Sequence, residues 1–454
     1  MQSGPPAPPG ATAERDEDTP LASLLRASIL GRGPLSMADF MSLCLSHPQY
    51  GYYMQGGPVF GRSGDFVTSP EISQLFGELV GVWCVAAVGA LQGTAAGAGA
   101  AAGATAGLRL VEGGPGRGTL ASAVLRVLSR FPTRVPPLEA LHLVETSPAL
   151  RRVQAATLGC GEDTLAMEEG VVVRGRVGSG HPCAGLGVHW WSRFEDLPRA
   201  PPGTTPIALC HELFDALPVH QLVWSPQRSS WREILVDTVA GKAAAGDAAA
   251  AAAAAAPDAL RNVLSPGPTP ASAALAAWLA SPTGARYRDL CAWEGQEGDV
   301  FELSPASQAL ASTLARRVVE ENGAALVIDY GTLTGARALS LRGIRRHAFV
   351  DPLLSPGRVD LSADVDFQCL RAVAEAGGGV AVLGPCTQGA FLQRCGLGER
   401  LQGLLDRLAP GDGQAERLVG EARRLAHPEE MGGVFKVMAI VPQHAREGLE
   451  GFFF

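Results

Sequence analysis

Two clusters in this sequence combine residue types that can do chemistry at spacings a fold can use. The first is Val111-Glu112-Gly113-Gly114-Pro115-Gly116-Arg117-Gly118-Thr119, a glycine-rich turn that follows an apolar run and precedes Leu120, Ala123, Val124, Val127 and Leu128 at helical spacing. Glycine is needed where the backbone turns tightly or lets a ligand approach where a Cβ would stand. A phosphate-cradling Walker loop needs Lys after its last glycine, and Gly118 is followed by Thr119, so that chemistry fails. The dinucleotide fingerprint G-x-G-x-x-G, started at Gly114, meets Thr119 in its sixth position and is weakened. The second cluster is His211-Glu212-Leu213-Phe214-Asp215-Ala216-Leu217-Pro218-Val219-His220, which closes another apolar run. A zinc H-E-x-x-H motif would need His at 215, where Asp215 stands, so no metal is expected. Glu212 and Asp215 are instead expected as substrate-facing acids, the alternative being a turn whose acids cap a helix.

The pattern that survives at the first cluster is Glu112-x-Gly114-x-Gly116-x-Gly118, the acid-and-alternating-glycine motif of enzymes that use S-adenosylmethionine. A second acid supports it: the next apolar run ends at Glu145, followed by Ser147-Pro148 as a helix start. A carboxylate at a strand tip can accept hydrogen bonds from both ribose hydroxyls. The bland reading makes Glu112 and Glu145 ordinary strand-end acids and the glycines a turn. Strand, glycine loop, helix and second acid together favour the cofactor site.

Such a site needs elements to hold it. Leu108–Glu112, Leu141–Glu145, Ile207–Cys210, Ala325–Asp329 and Phe435–Val441 are short apolar runs separated by helical stretches, as buried parallel strands are. The expected architecture is α/β, a doubly wound sheet with ligands beyond the carboxyl ends of its strands. Before it, Leu21–Ser28 and Ser36–Cys44 show helical spacing, and Ser69-Pro70-Glu71 caps a helix carrying Ile72, Leu75, Phe76, Leu79, Val80 and Trp83 on one face. The expected organisation is a disordered Pro-rich acidic tail over 1–20, N-terminal helices and a glycine loop over 21–92, an Ala/Gly insert over 93–107, and the catalytic domain over 108–445 with a low-complexity insert over 241–257.

Composition narrows the class. Gly (56) and Pro (33) make about a fifth of the 454 residues, below the level at which disorder becomes the default. A net charge of −8 argues against nucleic acid held by bulk charge. Nine scattered cysteines without a C-x-x-C pair read as reduced thiols. The longest apolar stretch, Leu79–Leu91, is too short to cross a bilayer, so no membrane span is expected. Glu14, Asp16, Glu17 and Asp18 against one arginine do not read as a targeting presequence. Trp190, Trp191, Trp224 and Trp231 are expected in the core, and His347, Asp351, Asp360, Asp364 and Asp366 in structural or lid roles, since their spacing fits no EF-hand.

Gly51-Tyr52-Tyr53, then Gly64-Asp65-Phe66-Val67-Thr68-Ser69-Pro70-Glu71-Ile72-Ser73-Gln74 and Phe76-Gly77-Glu78, closely resemble the signature of the MidA-like methyltransferases. The glycine loop, the Glu212–His220 turn, Arg342-Gly343 with His347, Asp351-Pro352, Asp360–Phe367, Gly384-Pro385 and Met431-Gly432 with Phe435-Lys436 follow in the same order, from about residue 34 to 440. The resemblance implies a Rossmann-like class I methyltransferase fold with an N-terminal helical segment and inserted substrate or lid elements. It also implies S-adenosyl-L-methionine as cofactor, held by Glu112, Gly114, Gly116, Gly118 and Glu145.

Eukaryotic members of that family are complex I assembly factors described as protein arginine methyltransferases. The implied activity is therefore symmetric dimethylation of an arginine on a complex I subunit, in the mitochondrion, or in the cytoplasm if the chain is bacterial. A guanidinium stays protonated, and carboxylates that orient it can leave one nitrogen nucleophilic. Glu212 and Asp215, with Asp65 and Glu71, are the expected clamp. Glu71 alone is equally a first-turn helix acid, and Asp65 an Asx-type turn residue. The rival readings are a non-catalytic assembly chaperone that keeps the fold and a methyltransferase acting on another substrate. One departure is Gly113, where the family usually has Leu, which is expected to loosen the strand end.

Overall fold

The computed structural model describes residues 19–56, 67–93, 107–238, 259–291, 299–335, 338–409 and 413–454. Asp65, the 241–257 insert, the tail before Thr19 and all but the ends of the 93–107 insert lie outside them.

The expected apolar runs become the centre of a ten-stranded sheet. Nine of its strands are β1 (Gly107–Gly113), β2 (Leu138–Val144), β3 (Ala166–Glu168), β4 (Val171–Arg176), β5 (Gly187–Trp191), β6 (Thr204–His211), β7 (Ala324–Thr332), β8 (Val380–Thr387) and β9 (Phe435–Pro442). Their spatial order is β8-β9-β7-β6-β1-β2-β5-β4-β3, and the two-residue strand Val365–Asp366 pairs with the end of β7. The strands β5, β2, β1, β6 and β7 run parallel. The chain order reverses between β1 and β6, so the crevice beyond their carboxyl ends is the natural ligand position.

One expectation fails in detail: β9 is antiparallel to both β7 and β8. Every residue of β9 is buried, and a strand covered on both faces has the same apolar pattern whichever way it runs.

Alternation along the strands feeds two cores. Leu108, Leu110, Ile207, Leu209, Leu326 and Ile328 face one, while Val111, Cys210, Ala325 and Val327 face the other. Among the helices are α1 (Pro20–Arg32), α2 (Met37–Ser46), α3 (Ser69–Ile72), α4 (Gln74–Gly93), α5 (Thr119–Leu128), α6 (Pro148–Thr157), α7 (Pro305–Glu321) and α8 (Phe367–Ala376). α4 and α5 cover the first face through Leu75, Phe76, Trp83, Val124 and Leu125. α7 and α8 cover the second through Leu310, Leu314 and Leu370.

By length and composition α4, at 20 residues, could cross a membrane, but most of its apolar side chains from Leu75 to Leu91 are buried in this core, Val82 being exposed. The expected single helix starting at Ser69 is broken at Ser73, which is extended (φ −150°, ψ 143°), and the cap residue is Thr68. The Ser73 hydroxyl accepts from the Leu75 amide (3.4 Å) and begins the chain again as α4.

Beyond the sheet's carboxyl edge sit two smaller sheets that the sequence reading did not resolve. One is antiparallel, built from Leu35–Ser36, His220–Ser225, Ser230–Thr238, Leu260–Leu264 and Val300–Leu303. The other joins Arg342–Arg345, Ala348–Val350 and Asp360–Ser362. α1 and α2 bind them together through Leu21, Leu25, Phe40, Met41, Val236 and Leu361. Of the four tryptophans, Trp190 and Trp231 are buried as expected, and Trp191 and Trp224 are half-buried.

Candidate active site

The glycine loop leaves β1 through backbone that favours glycine: φ is +64° at Gly114, +52° at Gly116 and +82° at Gly118. Gly118 caps α5 without a side chain, and its amide donates to Pro115 O (2.7 Å), closing the turn. Gly113 is not loose. It pairs with Val144 on one side and Cys210 on the other, and a Cβ there would run into the Phe194 ring and come within 3.0 Å of Leu213 Cδ2. Two side chains thus fill the space that the family's usual leucine would occupy.

Glu112 is 2% exposed, and its Oε2 has no hydrogen-bond partner. Burial pushes its carboxyl up to about 8, against an opposing hydrogen bond from the Ala121 backbone. Glu145 stands at the tip of β2 and accepts from the Ser147 amide (2.8 Å) and Gln154 Nε2 (3.1 Å). Burial raises it to about 7.

Two residues that the sequence reading missed brace this end, one turn apart on α6. Gln154 Nε2 also donates to Gly116 O (2.9 Å), joining loop to acid. Arg151, 4% exposed, donates to Glu145 O (2.8 Å), Val172 O (3.1 Å) and Ser192 Oγ (3.0 Å), tying three strand ends together. Their i, i+3 spacing after a strand-tip acid was the available signal.

The second acidic cluster follows β6. Glu212 takes a left-handed conformation (φ +49°), rare for a residue with a Cβ and a mark of over-determined local structure. Its Oε1 has no hydrogen-bond partner although the side chain is buried, and His211 Nε2 lies 3.3 Å away without hydrogen-bonding geometry. Burial first, then the neighbouring Asp215, push the Glu212 carboxyl well above the carboxylate range, against a hydrogen bond from the Ser69 backbone. Asp215 accepts from Ser362 Oγ (3.0 Å), and burial raises it to about 6. His211 stacks on Phe435 and tilts against Phe76, and burial lowers it to about 3, so its ring is neutral.

One cavity of about 490 Å³ is lined by both clusters, by Glu112, Gly114, Gly116 and Glu145 of the first and by Glu212 and Asp215 of the second. Gly118 turns the loop but does not line it. Tyr53, Tyr330 and Asp360, none of them placed there by the sequence reading, complete the wall, and the Tyr53 hydroxyl donates to Asp360 Oδ1 (2.9 Å). Glu71 also lines the cavity and pairs with Arg117 of the glycine loop (3.3 Å).

Among the described residues no cluster of His, Cys, Asp or Glu is built to hold a metal. Asp364 pairs with Arg342 (2.6 Å), and Asp366 caps α8 by accepting from the Gln368 and Cys369 amides (3.1 and 3.0 Å). Those acids are structural.

The residues present fit S-adenosylmethionine. The loop exposes backbone where side chains are excluded, Glu145 offers carboxylate oxygens at a strand tip, and Glu112 keeps an unsatisfied oxygen. Comparison with known proteins agrees. Residues 79–386 match a family model described as "Putative S-adenosyl-L-methionine-dependent methyltransferase". A Drosophila melanogaster protein named protein arginine methyltransferase NDUFAF7 homolog, mitochondrial, is 37% identical over 93% of this chain and 85% of its own length. The human protein named protein arginine methyltransferase NDUFAF7, mitochondrial, is 34% identical over 95% of this chain and 85% of its own. A crystal structure from Burkholderia thailandensis, bound to S-adenosyl-homocysteine, superposes with a TM-score of 0.68 at 25% identity, covering 95% of this chain and 94% of that one. The class I sheet, the glycine loop with its acids and these relatives lead to one assignment: the chain belongs to the MidA-like family of S-adenosylmethionine-dependent methyltransferases.

Proposed function

We propose that this methyltransferase acts on a protein arginine, forming symmetric dimethylarginine on a subunit of respiratory complex I during its assembly in the mitochondrion. The observation that carries the arginine reading is the buried pair Glu212 and Asp215, which share the cavity with the glycine loop, one of them with an unpartnered carboxylate oxygen. Burying two acids side by side is costly unless a cation joins them, and a planar guanidinium matches carboxylates by bidentate hydrogen bonding. The names of the fly and human relatives support arginine and the mitochondrion. The complex I subunit and the symmetric product rest on the family resemblance.

When bound, S-adenosylmethionine supplies a methyl group activated on a sulfonium. Glu112, Gly114, Gly116 and Glu145 would hold it, with Gly118 turning the loop behind them. Glu212 and Asp215 orient the guanidinium and draw its positive charge toward the nitrogens they bind, leaving the remaining nitrogen better able to attack. Methylating a protonated guanidinium gives a product nitrogen that must shed one proton. Glu212 is the group placed to accept it, once the bound guanidinium has ionised its carboxyl, which burial makes a stronger base than an ordinary carboxylate. Asp65 joins this clamp in the proposal on sequence grounds alone. The two smaller sheets with α1 and α2 form the substrate side, as inserts around the methyltransferase sheet.

The test is transfer of labelled methyl from S-adenosylmethionine to arginine-containing peptides drawn from complex I subunits, with mass-spectrometric identification of the product. Label on lysine, on a carboxylate or on no peptide at all would sink the arginine assignment.

A further inference from the structure

We propose that Asp329 is a positioning residue for methyl transfer, holding the Glu212–Asp215 turn against the cavity through the turn's own backbone amides. Asp329 lies in β7, beside β6, and is fully buried. It does not line the cavity, so it acts through other residues. Its Oδ2 accepts from three successive amides, Leu213 (3.1 Å), Phe214 (2.8 Å) and Asp215 (3.3 Å), while Oδ1 accepts from Tyr330 (2.8 Å).

The turn needs such an acceptor. Past the Glu212 amide, which donates to Ile328 O (3.0 Å), the chain leaves the β6 ladder. Glu212 then turns left-handed, and the next three amides would be buried without partners. A carboxylate concentrates all three bonds on one rigid strand, and so fixes where the Glu212 and Asp215 side chains stand.

The groups that face Asp329 electrostatically are Glu212 and Asp215 from the turn and Cys210 from β6. Tyr330 follows it on β7, and Arg342 approaches both Tyr330 and Asp215. Burial first, then the neighbouring Asp215 and Glu212, push the Asp329 carboxyl well above its ordinary range. Its three amide bonds, to the residues that carry and adjoin the two acids of the cavity, tie it to the site. This inference rests on the proposed arginine chemistry for its kinetic consequence, but the geometry can be tested separately.

The experiment compares the full chain with Asp329→Asn and Asp329→Ala. Amide hydrogen exchange is followed at residues 213–215, with residues 148–157 of α6 as the control. Binding of S-adenosylhomocysteine is measured by calorimetry, and kcat and KM are measured on an arginine peptide. Expected are exchange faster by about tenfold or more at 213–215 with α6 unchanged, cofactor-product affinity within about twofold, and kcat lower by roughly 30-fold or more with little change in KM.

Unchanged exchange at 213–215 overturns the positioning role. So does normal kcat beside accelerated exchange, and so does loss of S-adenosylhomocysteine binding together with loss of α6 protection, which would mark a general structural effect. If the wild-type chain methylates no arginine peptide, the arginine reading fails, and the exchange measurement still decides whether Asp329 holds the turn.

Discussion

Glu212 and Asp215 are separated by only two residues, yet they sit in different electrostatic positions. Asp215 has a hydroxyl donor in Ser362 and rises to about 6, whereas Glu212 keeps an unpartnered oxygen and is pushed well above the carboxylate range. Two acids whose environments push their pKa values apart take different tasks. Asp215 is suited to remain a carboxylate that orients the guanidinium, and Glu212 to take the proton. Glu212→Gln should lower kcat by about 10²–10³-fold, and Asp215→Asn should both weaken peptide binding and lower kcat, with S-adenosylhomocysteine affinity unchanged in each. Steady-state kinetics beside calorimetry check this. Normal turnover by both variants would remove the clamp. At the other end, Glu145→Ala should weaken cofactor binding by roughly ten- to a hundredfold while leaving the 212–215 turn intact, which titration with S-adenosylhomocysteine measures.

At the scale of elements, the glycine loop shows how much the sequence disclosed. Glycines at alternate positions between a strand and a helix require positive φ and a close ligand approach, and Gly114, Gly116 and Gly118 have the first. The runs ending at Glu112, Glu145 and Cys210 are the strands that point into the cavity. Local chemistry sufficed there, because turn geometry and strand burial act over a few residues. It did not suffice for Asp329, which looks like any strand-end acid until β6 and β7 are laid side by side, nor for Tyr53 and Asp360, which meet from 307 residues apart. Those contacts depend on which strands are neighbours, and periodicity does not encode that. Gly113 shows the same limit: its tightness comes from Phe194 and Leu213, both distant in sequence. Gly113→Ala should cost about 1–3 kcal/mol by overpacking, and pairing it with Phe194→Ala should recover part of that loss beyond additivity. A double-mutant cycle on urea midpoints gives the coupling. Strict additivity would mean that the Phe194 ring does not set the fit.

For the whole molecule, buried acids held above their ordinary range make stability depend on pH with a defined sign. Glu112 moves from 4.5 to about 8 and Glu145 from 4.5 to about 7 on folding. Between its unfolded and folded values each carboxyl holds more proton in the native state than in the unfolded chain. The stability it allows is therefore fully present below pH 4.5 and is lost as pH rises through the folded value. Histidines act in the opposite sense. His142 and His211, lowered from 6.5 to about 3 by burial, favour the fold above pH 6.5 and lose that contribution as pH falls. Below pH 6.5 the two sets oppose each other, and above it the acids act alone. From pH 6.5 to about 8 the chain without cofactor should lose stability, and Glu112→Gln, which keeps the shape and removes the charge, should make that slope shallower, the buried Glu145, Glu212 and Asp329 carrying the rest, and be the more stable protein at pH 8. Thermal or urea unfolding of both proteins across this range measures it. A wild-type slope that is flat, or that rises with pH, would mean Glu112 is ionised at little cost in the empty site. If the variant is stabilised at pH 8 and also binds S-adenosylhomocysteine more weakly, the carboxylate is kept at the expense of stability for the ligand it faces, the trade expected where an unsatisfied acid belongs to a binding site.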